Sequence, residues 1–290
     1  MTQLSRRNSL KKILLGTAAA GSFPLLGNCT QESKSQLKGN VNHAVCHWPF
    51  NPMTLEELCI GIKKIGFNAI DLVGPNNWKT LKEYEVECSM CNGADMGIEK
   101  GFNDKQYHAQ LIKGYTEVIP LVGKAGYKNL IAFSGNRNGM DDETGMKNAA
   151  EGLKKIMPLA EKNGVTVIME LLNSRVNHPD YMCDKSAWGV ELCKMVGSPN
   201  FKLLYDIYHM QIMEGDLIRT IKRDHQYFGH YHTAGNPGRN EIDETQEIYY
   251  PAVVRAVLDT GYKGYFCQEF IPKAEDKMAS LEQAIRICDL

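Results

Sequence analysis

The feature that most constrains the fold is a unit that recurs along the chain. In each copy a helical pattern ends in a glycine, and a run of apolar, strand-forming residues follows. Glycine adopts the left-handed conformation in which many helices end, and a nearly continuous apolar run is typical of a parallel strand that is buried on both faces. The repeat therefore predicts parallel strands that alternate with helices. The glycines that end these helical patterns are Gly66, Gly126, Gly164 and Gly261.

The spacing of the units predicts a fold class, α/β, with a single (β/α)8 TIM barrel. Thr54 and Glu57 form a capping-box pattern before the first helix, and further helices are expected at 107–125, 146–163 and 249–260. A doubly wound open sheet is the alternative, but no G-x-G-x-x-G sequence follows the first strand. Strands are expected near 41–46, 67–73, 87–92, 129–134, 166–171, 202–206, 227–232 and 264–269.

The N-terminus looks like a targeting segment. Arg6 and Arg7 precede a weakly apolar run that is too short and too rich in Gly and Ala to form a stable membrane anchor. The arrangement resembles a twin-arginine export signal, and Cys29 lies in a sequence that loosely resembles a lipoprotein cleavage box. Export is thus expected, to the periplasm or with a lipid anchor, and the membrane tether through Cys29 is left open; a disordered basic tail on a cytoplasmic enzyme is the alternative. The predicted domains are a signal segment at 1–30, a linker at 31–40 and the barrel at 41–290.

The charge and cysteine patterns exclude some classes of function. Of the 290 residues 43% are hydrophobic, the net charge is −1, and acidic and basic residues are interspersed, so we expect no nucleic-acid partner. A small-molecule substrate is the expected partner, and a homo-oligomer is left open. Cys88 and Cys91 form a C-x-x-C sequence, but no second pair completes a zinc site.

Four ionisable residues follow apolar strand residues on four successive predicted strands. A carboxylate in such a place is costly to bury unless it is paired or binds a metal ion. The carboxyl ends of barrel strands meet at one mouth, where barrel enzymes carry out their chemistry. Oxygen donors with one imidazole suit Mn²⁺, Mg²⁺ or Co²⁺ better than Zn²⁺ or Fe²⁺. The four candidate ligands are Glu170, Asp206, His232 and Glu269. His230, which lies two residues before His232 on the same strand face, is the alternative to His232.

The chain resembles the xylose-isomerase-like barrels, and within them the hydroxypyruvate isomerases and ketose 3-epimerases. The resemblance covers residues 41–290, and the loop Ala234-Gly235-Asn236-Pro237-Gly238-Arg239 is most similar to the hydroxypyruvate isomerase branch. Members of that branch often have Gln where His232 stands and are mostly cytosolic. The residues that carry the resemblance are Glu170-Leu171-Leu172-Asn173, Tyr205-Asp206-Ile207-Tyr208-His209-Met210, His230-Tyr231-His232 with Pro237-Gly238-Arg239, and Gln268-Glu269-Phe270.

The resemblance implies a divalent-metal-dependent isomerase that acts on a small keto acid or sugar through an enediolate. It implies that all four candidates bind one metal ion, that Glu170 and Glu269 are also the catalytic acid/base groups, and that His209 and Arg239 contact substrate. A ketose 3-epimerase or keto-sugar lyase would use the same groups. An apurinic-site endonuclease would need more metal ligands and a basic face, and a lipid-tethered sugar-binding protein would not need both glutamates. His47 and Trp48 are candidates for an apolar wall of the pocket, with a packing role as the alternative for Trp48. Asn173, Arg175 and His178 are candidates for substrate contact, with a surface loop as the alternative.

Overall fold

The structure, a computed structural model, describes residues 36–290. Its eight strands are all parallel and pair in chain order, and β1 also pairs with β8, so the sheet closes into a barrel. The predicted (β/α)8 barrel is confirmed, and the open sheet is excluded. The strands are β1 (Asn42–Cys46), β2 (Ala69–Val73), β3 (Glu87–Cys91), β4 (Asn129–Ala132), β5 (Thr166–Glu170), β6 (Phe201–Asp206), β7 (Phe228–Thr233) and β8 (Tyr265–Gln268).

The helices begin and end largely where local signals place them. The Thr54 side chain accepts from the backbone N–H of Glu57 at 3.2 Å, and the Glu57 carboxylate accepts from that of Thr54 at 2.8 Å, which forms the predicted capping box. The helices are α1 (Leu55–Ile65), α2 (Trp78–Glu83), α3 (His108–Ala125), α4 (Asp142–Asn163), α5 (Ser186–Val196), α6 (Ile207–Met213), α7 (Leu217–Asp224), α8 (Tyr250–Leu258) and α9 (Lys277–Cys288).

Two predicted helix ends differ from the observed ones by two residues or more. The fourth helix begins four residues before the predicted 146, because the Asp141 carboxylate accepts from the Thr144 backbone N–H and caps an earlier turn. The eighth ends at Leu258 rather than 260, and Gly261, although left-handed at φ 82°, lies three residues beyond it. Gly66, Gly126 and Gly164 directly follow their helices in the left-handed conformation, as predicted.

The alternation of side chains along each strand determines what faces the barrel interior. Small and branched apolar residues from several strands form two clusters, one around Ala44 and Ala69 and one around Ile168 and Leu204. Side chains two residues further along a strand lie on the same face. Glu170 and Asp206 therefore lie directly above the apolar cluster, at the carboxyl end of the barrel.

The barrel unit begins at Gln36. The Lys38 backbone N–H donates to Asp289 at 2.8 Å, and the Asn40 side chain donates to the carbonyl of Leu290 at 2.7 Å, so these residues contact the C-terminal end of the chain. The predicted signal segment, with Arg6, Arg7 and Cys29, lies outside the described residues. Between residues 36 and 290, no helix has the length and apolar character needed to cross a membrane.

Candidate active site

The four residues proposed as ligands meet at the carboxyl end of the barrel. Glu170 and Asp206 are the last residues of β5 and β6, His232 is the penultimate residue of β7, and Glu269 directly follows β8. All four are buried, with exposed fractions of 4% or less. Each contributes one donor atom to a group whose members all lie within 4.8 Å of one another. The topology thus brings together residues that are up to 99 positions apart in sequence (269 − 170).

The imidazole of His232 faces the three carboxylates with one ring nitrogen. Nδ1 lies 3.1 Å from Oε2 of Glu269, 3.4 Å from Oε1 of Glu170 and 4.0 Å from Oδ2 of Asp206. The structure therefore places His232, rather than the alternative His230, in the carboxylate group.

The other side of His232 contacts Asp71, which the sequence analysis did not single out. Asp71 lies in β2 and is fully buried, and its Oδ2 is 2.9 Å from Nε2 of His232 and 2.5 Å from Nε2 of His230. The hydroxyl of Ser89 donates to Oδ1 of the same carboxylate. Burial opposes ionisation, but the two histidines hold the pKa of Asp71 well below its usual range.

The carboxylates on β5 and β6 share an environment that disfavours their charge. Burial, reinforced by the nearby Glu269 carboxylate, raises the pKa of Asp206 to about 7 and also raises the pKa of Glu170. Asp206 also caps α6, because its Oδ1 accepts from the backbone N–H of His209 at 2.9 Å. Oε1 of Glu170 is buried without a hydrogen-bond partner in the described part of the chain.

Glu269, by contrast, lies beside groups that favour its ionised form. Arg239 Nη2 lies 2.5 Å from its Oε2, and the Trp48 indole N–H donates to its Oε1 at 2.9 Å. Burial opposes ionisation, but Arg239 and His232 hold the pKa of Glu269 well below its usual range. The Arg239 guanidinium also lies 5.1 Å from the ring of Trp48 and 5.8 Å from that of Tyr208.

Trp48 was assigned by sequence to an apolar wall or to packing, and the structure gives it a polar role as well. It is 40% exposed at the mouth, and its N–H orients Glu269. His47 does not join this group: its Nε2 lies 2.7 Å from the carbonyl oxygen of Met53, within the loop after β1.

His209, which the resemblance assigns to substrate contact, is held as a neutral donor. Burial lowers its pKa well below the ordinary value. The Asn173 backbone N–H donates to its Nδ1 at 3.2 Å, so the ring proton of the neutral imidazole belongs on Nε2. Nε2 is buried without a hydrogen-bond partner among the described residues and lies 3.8 Å from Oδ2 of Asp206. It is therefore free to donate to a substrate oxygen.

The three candidate residues in the loop after β5 make different contacts. Asn173 is buried against His209, and its Oδ1 accepts from the backbone N–H groups of Val176 and Asn177, which shape the loop. Arg175 is exposed and donates to the carbonyl of Ile212 at 2.9 Å. The ring of His178 lies 5.3 Å from that of His209, beside the site.

The donor set fits a divalent metal ion. Three buried carboxylates around one imidazole nitrogen would repel one another if ionised, and the unpartnered oxygen of Glu170 lies within the group. A cation would satisfy this oxygen and offset the charge, and these oxygen-rich donors match hard divalent ions.

A pH-dependent cost is expected in the metal-free protein. In the unfolded chain Asp206 ionises near its ordinary value of 3.8, whereas in the folded protein it does so only near 7. The stability that the raised pKa contributes is fully present below the pKa of the unfolded chain, and it is lost as the pH rises through the pKa of the folded protein.

The variant Asp206→Asn keeps an acceptor for the α6 cap but does not titrate. Between about pH 5 and about pH 8 the free energy of unfolding of wild type should fall relative to this variant by on the order of 1 to 3 kcal/mol. Urea titrations with chelator present measure the difference, and a difference that does not change with pH would contradict the assignment.

Comparison with known proteins gives a consistent picture. A family model described as "Xylose isomerase-like TIM barrel" matches residues 62–288. A 2-oxo-tetronate isomerase from Cupriavidus necator is 39% identical over 115 residues, which are 40% of this chain and 44% of that protein. A hydroxypyruvate isomerase from Escherichia coli is 31% identical over 123 residues, 42% of this chain and 47% of that protein. The matched segments thus span about half the length of these relatives.

The barrel also resembles solved structures. One described as an AP endonuclease, family 2, from Brucella melitensis superposes with a TM-score of 0.74 at 24% identity, covering 83% of this chain and 97% of the other. At this identity the similarity concerns the fold.

Proposed function

Because this chain belongs to the family of xylose isomerase-like TIM barrels, we propose that it is a divalent-metal-dependent isomerase of a small keto acid or sugar that works through an enediolate. The observation that carries the proposal is the group at the barrel mouth, in which Glu170, Asp206 and Glu269 surround Nδ1 of His232. Its class would be that of the intramolecular oxidoreductases that interconvert aldose- and ketose-type substrates.

A substrate that carries a carboxylate is favoured by the position of Arg239. Its side chain is 11% exposed, and its guanidinium lies near the aromatic rings of Trp48 and Tyr208 and pairs with Glu269, while its Nε has no hydrogen-bond partner among residues 36–290. Guanidinium groups bind carboxylates through two parallel hydrogen bonds. A substrate carboxylate would therefore use the free Nε and release Glu269 from its ion pair. The names of the relatives, a hydroxypyruvate and a 2-oxo-tetronate isomerase, denote acids of this kind.

The reaction that these groups support is a proton transfer between neighbouring carbons. One glutamate would remove the proton from the carbon beside the carbonyl, and the other would return a proton to the former carbonyl carbon, while the oxygens exchange a proton. His209 Nε2–H would donate to a substrate oxygen, where negative charge develops in the enediolate.

The metal ion would be held by Glu170, Asp206, His232 and Glu269, with Mn²⁺, Mg²⁺ or Co²⁺ better suited than Zn²⁺. When bound, it supplies Lewis-acid stabilisation of charge on the substrate oxygens. The chain's own residues orient the substrate and move the protons.

Exchange of carbon-bound hydrogen with deuterated water tests the proposal most directly. Wild-type protein with Mn²⁺, Mg²⁺ or Co²⁺ is incubated with hydroxy-keto acids and with neutral ketoses, the metal is removed, and the products are read by NMR. Exchange at the carbon beside the carbonyl of a keto acid, with formation of the isomer, is expected. Exchange confined to carbon 3 of a ketose, with inversion, would instead identify a 3-epimerase. A protein that binds a sugar and exchanges no proton would be a non-catalytic binding protein.

We propose in addition that residues 1–30 direct export by a twin-arginine route, with Cys29 as a lipid attachment point. The basis is Arg6-Arg7 before a weakly apolar run and the sequence around Cys29. Fractionation should find wild type outside the cytoplasm, and lysine at both arginine positions should retain it inside. Replacement of Cys29 by Ala should release an exported protein from the membrane fraction. Wild type recovered in the cytoplasm would contradict the export signal.

A further inference from the structure

The function proposed above leaves Asp71 without a role. Its carboxylate is fully buried in β2, between Ala69 and Val73, on the strand face that points into the barrel. A buried carboxylate is costly unless several partners satisfy it. Asp71 has three partners, namely the hydroxyl of Ser89 and the Nε2 atoms of His230 and His232.

The contact with His232 has a chemical consequence for the site above it. Nε2 of His232 lies 2.9 Å from Oδ2 of Asp71, within hydrogen-bond distance, while Nδ1 lies in the carboxylate group, so an ion held there would leave the ring proton on Nε2, where Asp71 can accept it. To bind a metal ion, the imidazole must be neutral, and with its proton on Nε2 it presents the lone pair of Nδ1 to that ion. Nδ1 is the atom that faces Glu269 at 3.1 Å and Glu170 at 3.4 Å. The opposite tautomer would place the Nε2 lone pair against the Asp71 oxygen in a buried, low-dielectric environment.

We propose that Asp71 is a positioning residue, which fixes the tautomer of His232 and the orientation of its ring so that Nδ1 is the metal-binding atom. The inference rests on the proposed metal-dependent function. Carboxylates that accept from the distal nitrogen of a metal-binding histidine commonly change metal affinity by 10- to 100-fold when they are replaced. Because β2 lies outside the β5–β8 group, this role would extend the site across the barrel.

Asp71 also belongs to a second group of donors, with Cys46, Cys267 and His232 within 4.8 Å of one another. The two sulfur atoms are 3.6 Å apart, close to the roughly 3.8 Å expected for two thiolates on one tetrahedral zinc ion with bonds of about 2.3 Å. However, the Cys46 thiol donates to Oε1 of Glu269 at 3.6 Å, so it already has a partner in the first group. Oδ2 of Asp71 is moreover already shared by two imidazoles. A positioning role therefore accounts better for these contacts.

The tautomer can be measured in the wild-type protein without any substitution. Protein labelled with ¹⁵N and loaded with diamagnetic Zn²⁺ is examined by long-range ¹H–¹⁵N correlation, and His232→Gln identifies the signals of His232. We expect a protonated Nε2 and a metal-shifted Nδ1. A protonated Nδ1 with the metal shift on Nε2 would overturn the proposal. The measurement does not depend on turnover, so it stays separate from a failure of the proposed isomerase activity.

Two variants separate a positioning role from a merely structural one. Asp71→Asn should weaken Mn²⁺ binding by about 10- to 100-fold in competition with a chromophoric chelator. His230→Asn is the matched control, because it removes the other imidazole on the same carboxylate and leaves the contact with His232; its affinity should stay within about threefold of wild type. Equal losses in both variants, or wild-type affinity in Asp71→Asn, would show that Asp71 only supports packing. Circular dichroism verifies that both variants fold.

Binding of Co²⁺ tests whether the second group of donors holds a metal ion of its own. Wild type should bind about one Co²⁺ per chain without a near-ultraviolet charge-transfer band from thiolate sulfur. A second Co²⁺ with such a band, lost in Cys46→Ser and in Cys267→Ser, would make Asp71 a ligand of its own ion and overturn the positioning role.

Discussion

Replacing Glu269 with Gln is expected to lower the rate of substrate proton exchange by about 10² to 10⁴, the usual contribution of a positioned acid or base. Gln keeps an oxygen that can contact a metal ion and accept from the Trp48 N–H, which now donates to Oε1 at 2.9 Å. It cannot take up a proton from carbon. Glu170→Gln should lower the rate of isomer formation to a similar extent, and the double variant should cost little more than either alone, since the two groups act in one proton relay.

The assay must separate lost chemistry from lost metal. Each variant is measured at saturating Mn²⁺, with its metal content determined by elemental analysis, and substrate binding is measured independently by calorimetry. Glu247→Gln is a suitable control, because Glu247 is an exposed glutamate in the loop that carries Arg239 and bonds to Asn236 rather than to the site. Its exchange rate should stay within about twofold of wild type.

If the glutamine variants exchange as fast as wild type at full metal occupancy, the base lies elsewhere. His209 is then the first group to test, because its Nε2 lies 3.8 Å from Oδ2 of Asp206 at the site; as a base it would have to adopt the tautomer opposite to the one that its contact with Asn173 favours. Replacement of His209 by Gln would then abolish exchange, whereas under the present proposal it removes one hydrogen-bond donor and therefore weakens substrate binding and slows exchange without abolishing it.

The part of the site that the sequence predicts depends on a property of barrels. The strand ends are recognisable from apolar runs, and parallel closure brings all their carboxyl ends to one mouth. Glu170 and Asp206 could therefore be placed together without any knowledge of the helices between them. Their placement at the same mouth followed from the order of the strands along the chain and required no knowledge of side-chain geometry.

Asp71 was missed because its signal is local and weak. It lies two residues before the end of β2 (Ala69–Val73), whereas ligands were sought at the strand ends. What could have found it is the parity of the strand, since Asp71 and Ala69 share the interior-facing side and a lone interior carboxylate needs a partner. The choice between His230 and His232 was open for the same reason. Both face one way along β7 and both contact Asp71, and only the distances from Nδ1 of His232 to the carboxylates show that His232 is the one that reaches them.

The environment of Glu269 could not be predicted either. Its partners Trp48 and Arg239 come from the loops after β1 and β7, and loop conformation is determined by contacts distant in sequence. Arg239 has a left-handed backbone at φ 59°, which no periodicity in the sequence indicates. The resemblance to a family implied that Arg239 contacts substrate, which stays a prediction, and it did not indicate the ion pair of Arg239 with Glu269.

Removal of the divalent ion is expected to abolish exchange and to destabilise the barrel. Without a cation, Glu170, Asp206 and Glu269 lie within 4.8 Å of one another's donor atoms in a buried site, and burial together with their mutual repulsion raises the pKa of the first two. A bound ion offsets that repulsion only in the folded state, where the four donors are assembled. Binding at about 100 times the dissociation constant would thus add about 2.7 kcal/mol to the free energy of unfolding.

Dialysis against a chelator should lower the metal content from about one ion per chain to near zero, reduce exchange at least about 10²-fold, and lower the midpoint of thermal unfolding. Mn²⁺, Mg²⁺ or Co²⁺ should restore both activity and stability, and the same chelator saturated beforehand with Mg²⁺ should change neither. Because metal ions bind deprotonated ligands, the affinity should fall as the pH drops through about 7, where Asp206 takes up a proton. Full exchange by protein shown to be metal-free would contradict the metal site. Loss of stability without loss of exchange would assign the ion a structural role and leave the proton transfer to the side chains alone.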